Sequence, residues 1–183
     1  MESIKTVSDE GFELKEEYYK YDYQVNLTKQ LDEYSEDFDE FQVNRIALWK
    51  LNRYFHIDEE TLNKINQIKP TDSELNEDLT SEILDGLLRT DGIRLAMAST
   101  ILRFKNPNIY QIIDQRVCRI LGIDSFTKLT SSKKIDEQKE LYLAYLKELR
   151  KICVERNVEF INADRVFYNA DKDINRNVKL TGY

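Results

Sequence analysis

The chain has 183 residues, with 27 Lys and Arg against 34 Asp and Glu and a net charge of −7. With 41% hydrophobic residues it can bury a core, but 5 Gly and 2 Pro are too few for the turn-rich chain of a β-sandwich or barrel. No apolar run approaches the ~20 residues of a membrane span, the start MESIKTVSDE has no secretory pattern, and Cys118 and Cys153 cannot make a disulfide framework, a four-thiolate zinc site or an iron–sulfur cluster.

The expectation is therefore a soluble, reduced, all-α cytoplasmic protein. Residues 10–25, with Tyr18, Tyr19, Tyr21 and Tyr23, fit strand or helix equally. Ser35 to Phe55 is predicted as one helix, on which Phe38, Phe41, Val43, Ile46, Trp49, Leu51 and Tyr54 form a wide apolar stripe. The acidic run Asp32 to Glu40 suits its solvated first turn better than a metal site, and His56, the only histidine, would sit at its end. Asp58 can cap a short helix carrying Leu62, Ile65 and Ile68, which Pro70 follows. A helix from Ser73 to Arg89 carries Leu75, Leu79, Ile83, Leu84, Leu87 and Leu88, and Gly92 separates it from another over Leu95 to Phe104. Lys105 to Ile113 reads as a connection around Pro107; Asp114 opens a short helix that Gly122 stops. Long helices are predicted over Ser132 to Glu155 and Phe160 to Asp173, with a polar tail beyond. With no repeat or low-complexity linker, residues 1–183 read as a single all-helical domain.

Charge divides that domain. Residues 1–85 hold 22 acidic and nine basic side chains, and residues 86–183 hold 12 and 18, so an acidic lobe of net −13 precedes a basic lobe of net +6. Within 89–119, Arg89, Arg94, Arg103, Lys105, Arg116 and Arg119 face only Asp91 and Asp114. Screening limits each charge to about 10 Å at ordinary salt, so the local field governs phosphate binding more than the average does. Solvation of helix faces explains the same residues without a ligand.

Two helices joined by a turn with a single Gly make an αα-hairpin, and Ala96, Ala98 and Ser99 would let the second pack closely on the first. Such a turn presents backbone N–H groups beside a helix N-terminus, which attracts anions. Asp114 then follows the apolar pair Ile112-Ile113 directly before a helix.

In these residues the sequence resembles the helix-hairpin-helix DNA glycosylase superfamily, the group of endonuclease III and the 3-methyladenine glycosylases. Schematically that family reads L-P-G-V-G-x-x-T-A, then sixteen residues from the Ala to an Asp in V-D-x-x-V-x-R-x-x-x-R-L-G. Gly92 matches the first hairpin Gly, Ala98 the Ala, and Asp114 lies sixteen residues beyond it; Val117, Arg119 and Leu121-Gly122 continue the match, which covers about residues 84–123. Arg94 departs from the pattern by replacing the second Gly, and Ala96 replaces the lysine of the glycosylase-lyases. The resemblance therefore implies a two-lobed helical bundle of the monofunctional branch, without Schiff-base chemistry from that position. More loosely, the chain resembles small bacterial proteins with a WK-x-x-R-like stretch and a C-terminal D-R-x-x-W/F-x-x-x-x-K, here Trp49-Lys50-Leu51-Asn52-Arg53 and Asp164-Arg165 through Lys172. That second likeness implies no substrate.

What the resemblance implies for function is base excision from double-stranded DNA, by hydrolysis of the N-glycosidic bond of a damaged or modified base. Asp114 would be the catalytic carboxylate, stabilising positive charge on the sugar and activating water. Arg89, Gly92, Ile93, Arg94 and Arg116 would hold DNA. Trp49, Lys50 and Tyr110 would line the base pocket, with Tyr54, Phe55 and Phe104 as further aromatic candidates. No metal or other cofactor is called for. Asp114 suits a plain helix N-cap equally well, and Cys118 and Cys153 suit buried packing. Asp164 and Arg165 would form an ion pair between the lobes. Two expectations compete with this: a DNA-binding module that keeps the fold without the chemistry, and a protein–protein adaptor that uses the acidic lobe, residues 1–85.

Overall fold

The computed structural model describes residues 23–123 and 134–180, and every regular element among them is helical. The chain divides between Tyr54 and Phe55 into two compact units. The charge boundary near residue 85 lies inside a helix of the second unit, so the charge lobes and the compact units do not coincide. No helix among the described residues is long and apolar enough to cross a membrane. Tyr18, Tyr19 and Tyr21 lie outside the described residues.

The first unit pairs α1 (Val25–Asp32) with α2 (Glu40–Lys50). Trp49 fastens them: its indole Nε1 donates to Thr28 Oγ1 at 2.9 Å, and its ring meets Tyr23 edge-on at 5.3 Å. The helix expected from Ser35 to Phe55 is shorter because Asp39 takes the N-cap, accepting from the Gln42 amide at 2.7 Å, and because Asn52 turns left-handed (φ 52°) just beyond its end. Its predicted apolar stripe faces outward in large part, with Phe38, Phe41, Val43 and Leu51 all more than half exposed. His56 lies exposed in the connection after α2 and not at a helix end. The acidic run is likewise a connection: residues 33–39 join the two helices.

The second unit holds α3 (Glu59–Gln67), α4 (Glu77–Arg89), α5 (Leu95–Lys105), α6 (Gln115–Ile120), α7 (Ile135–Arg156), a 3-10 turn (Phe160–Asn162) and α8 (Ala163–Ile174). Helix α4 lies at its centre and packs on α3, α5 and α7 through Ile83, Leu84 and Leu87, which are fully buried with Ala98, Leu102, Leu146 and Leu149. Asp58 caps as predicted, accepting from the Thr61 amide at 2.8 Å, whereas the helix expected from Ser73 starts later because Asn76 takes the N-cap, accepting from the Leu79 amide at 3.0 Å. Helices α3 and α4 approach so closely that a Cβ on Gly86 would stand 2.1 Å from Thr61 Oγ1.

The connection from α5 to α6 begins with backbone turns onto Leu102 and Asn106, but residues 111–113 are held by side chains instead. Asn106, fully buried, serves the connection between α3 and α4 in the same way, donating through Nδ2 to the Lys69 and Asp72 carbonyls at 2.7 and 3.0 Å. Tyr142 and Tyr145 on α7 donate to the Gln111 and Ile112 carbonyls at 3.0 and 2.7 Å. The Ile113 amide donates to Ser99 Oγ on α5 at 3.2 Å, and the Ile112 amide to Asp164 Oδ2 on α8 at 3.4 Å. Three helices thus fix the three residues that lead into Asp114.

Candidate functional site

Asp114 is the N-cap of α6. Its backbone is extended, and its Oδ1 accepts from the Val117 amide at 2.7 Å. The side chain is half-buried, and that desolvation raises its pKa above the ordinary carboxylate value; the Val117 and Arg116 amides and the Arg116 charge oppose the shift only in part. Burial pushes the Cys118 thiol, one turn further on, up to about 12, so it is no nucleophile at neutral pH.

Helix α6 rests chiefly on α8. The fully buried Asp171 joins them, taking both guanidiniums of α6: Arg119 through Nε and Nη2 at 2.8 and 2.6 Å, and Arg116 through Nη1 at 3.2 Å. Asn175 Nδ2 adds a donation at 2.8 Å, and the hydrogen bonds from Arg119 lead the causes that hold the Asp171 carboxyl below its usual range. A free nitrogen of Arg119 reaches the Val178 carbonyl at 3.0 Å and holds the chain after α8 beside α6.

Two depressions share Asp114 and Tyr168. The larger, about 730 Å³, is lined by Arg116, Arg176 and Lys179 together with Gln115 and Asn177. The smaller, about 340 Å³, is lined by Ile112, Val117, Asp164, Arg165 and Asn169. Both volumes fall in the ~300–1,000 Å³ range of small-molecule sites. The cations of Arg116 and Lys172 lie 5.7 and 5.6 Å from the centre of the Tyr168 ring.

Asp164 is buried, and it pairs with Arg103 of α5 (Nε to Oδ2, 3.4 Å) in place of the expected Arg165. Its amide also donates to Gln111 Oε1 at 3.2 Å, so Asp164 braces the lead-in to Asp114 on both its backbone and its side chain.

The hairpin residues serve different ends. Gly92 has φ +82°, in the left-handed region that favours glycine, and a Cβ there would stand 3.1 Å from Phe55 Cε1. Ile93 is a core residue with its amide given to the Thr90 carbonyl at 3.1 Å, so neither its side chain nor its N–H is left for DNA. Arg89 is exposed, but Asp85 on the same helix holds its Nε at 2.7 Å and Nη2 at 3.2 Å. The Arg94 side chain is exposed and makes no hydrogen bond or ion pair among the described residues, and no side chain caps the α5 N-terminus it precedes.

Tyr110, expected in the base pocket, is not free to wall one. Tyr110 is a core residue, 2% exposed, because its hydroxyl finds Thr80 Oγ1 at 2.9 Å inside the bundle. Trp49 and the exposed Lys50 belong to α2 in the first unit, as does Tyr54 in its tail. Phe104 is exposed, and Phe55 packs against the core. The aromatic residue beside Asp114 is Tyr168. Sequence reasoning also missed Arg176 and Lys179, whose only signal was two cations three residues apart in a polar tail.

Among the described residues no group of three or more His, Cys, Asp or Glu is placed to hold a metal ion. Compared with protein-family models, curated proteins and solved structures, the chain matches none of them.

Proposed function

We propose that the protein is a DNA-binding base-excision enzyme that hydrolyses the N-glycosidic bond of a damaged or modified base, with Asp114 as its catalytic carboxylate. One observation carries this: Asp114 is half-buried where a basic depression and a smaller one, walled by Ile112, Val117 and Tyr168, meet. An extruded base would enter the smaller one, since chemistry on a base requires its removal from the stack at a cost of a few kcal/mol. As the C1′–N bond breaks, positive charge develops on the sugar, and the Asp114 carboxylate stabilises it. Water then forms the new C1′–O bond; its proton passes to Asp114 and on to the departing base. Ala96 provides no amine for a covalent route at the hairpin position. The test is incubation with duplexes holding uracil, alkylated purines, oxidised bases and modified cytosines. Abasic sites should form with the wild type and not with Asp114→Asn; their absence across the panel, or equal cleavage by the variant, overturns the assignment.

A second reading, a DNA-binding module without catalysis, draws on one specific contact. Asp114 Oδ1 is already engaged by the Val117 amide, the work of a plain N-cap. In that case duplex is retained with a steep salt dependence, and Asp114→Asn changes nothing chemical.

A further inference from the structure

The larger depression holds more positive charge than α6 and α8 need for their own packing. Arg119 and Arg116 both serve Asp171. Arg176 and Lys179 serve no such purpose: both are exposed, and neither makes a hydrogen bond or ion pair among the described residues. Both nevertheless line the same depression as Arg116 and Asp114. The chain that carries them is held in place, because the Val178 amide donates to the Asn175 carbonyl at 2.9 Å while the Val178 carbonyl accepts from Arg119. With Arg116 already paired to Asp171, Arg176 and Lys179 still outnumber Asp114 in the lining and leave a net positive surface, and Arg176 offers the planar donor fork that matches phosphate oxygens.

We propose that Arg116, Arg176 and Lys179 form a phosphodiester subsite beside Asp114. It rests on the base-excision reading for its ligand, the backbone phosphate flanking the nucleotide whose sugar faces Asp114. The subsite places the anion next to the carboxylate, so it anchors the strand at the reacting nucleotide. It also accounts for the two unpaired cations in the segment after α8, which the helical packing leaves without a role.

The test uses the full chain, a short duplex oligonucleotide and inorganic phosphate. Arg176→Ala/Lys179→Ala removes two exposed cations. Lys147→Ala/Lys151→Ala removes two from α7, where they pair with Glu77 and Glu148, and controls for the change in net charge. The expected result is roughly tenfold weaker duplex binding by the first variant, with a salt slope shallower by about one, and no comparable change in the control. If the wild type binds duplex and both variants weaken alike, or neither does, the subsite is overturned and the DNA reading stands. Phosphate titration followed by amide NMR separates the remaining cases. Signals of 114–116 and 176–179 that move in the wild type but not in the first variant, without duplex binding, retain the anion subsite and overturn the DNA reading. No duplex binding and no phosphate response overturn both.

Discussion

Arg119 grips Asp171 at both oxygens, Nε to Oδ1 at 2.8 Å and Nη2 to Oδ2 at 2.6 Å, across the seam between α6 and α8. Such a bidentate pair fixes orientation as well as distance. Because Asp114 caps the same six-residue helix, the pair sets where that carboxylate stands relative to Tyr168.

Asp171→Asn leaves two guanidiniums facing a neutral amide in a buried seam. Breaking a buried ion pair from one side costs about 3–5 kcal/mol, and the partial exposure of both arginines places the expected loss near about 3 kcal/mol. The pH dependence follows from the lowered carboxyl pKa. The stabilisation is present above the unfolded-state value and is lost as pH falls through the folded one. Urea denaturation of wild type and variant between neutral and strongly acidic pH checks both: the gap should close on the acid side.

Asp114 has the opposite sign. Burial raises its pKa, so its ionised form costs stability, and the stability linked to the protonated form is lost as pH rises through the folded value. Asparagine caps helices as well as aspartate does. Asp114→Asn is therefore expected to melt no lower than wild type at neutral pH, while abolishing base release. Asp114→Ala, which loses the cap, should cost about 1 kcal/mol. In the wild type, cleavage should rise with pH to a midpoint above the ordinary carboxylate range. Calorimetry together with a pH–rate profile reads all three.

Gly86→Ala drives a methyl group into Thr61, where the ideal contact would be 2.1 Å. The expected loss is about 1–3 kcal/mol from overpacking between α3 and α4. Thr61→Ala alone also costs stability, since the Thr61 hydroxyl donates to Asp58 Oδ2 at 2.8 Å. The two together should cost less than their sum, and a double-mutant cycle in urea measures that coupling.

Tyr145→Phe deletes the 2.7 Å donation to the Ile112 carbonyl and leaves that partly buried acceptor without its partner. About 1–2 kcal/mol of stability should go. Base release should slow at unchanged duplex affinity, because the loss falls on the approach to Asp114 and not on the exposed cations. Single-turnover rates and duplex binding, measured side by side, separate the two effects.

Much of the helical order was readable because it is locally encoded. Asp58 and Asp114 are polar caps before apolar periodic runs, and each caps in the structure. Gly92 was readable for the same reason, a turn between two helices that needs a positive φ. The first unit was less so: no breaker marks the end of α2, so its apolar residues read as one long core-facing stripe, while the chain leaves the helix at Asn52. The surroundings of Asp114 were not readable at all. Tyr168, Arg176 and Lys179 reach it only through the packing of α8 on α6, across more than fifty residues of chain, and no local pattern encodes that. Tyr110 misled for a complementary reason: an aromatic residue near a loop resembles a pocket wall until the buried hydroxyl of Thr80 accounts for it.

The stretch that delivers Asp114 has the hydrogen bonding of a sheet strand without a sheet. Its partners are Ser99, Tyr142, Tyr145 and Asp164, drawn from three helices. The position of the carboxylate is thus specified by scattered single residues. Relatives that keep this geometry would share hydroxyls and one acid at wide intervals, with little contiguous identity between them. A search for such relatives would do better to score those four positions together with Asp114 than to look for any unbroken segment.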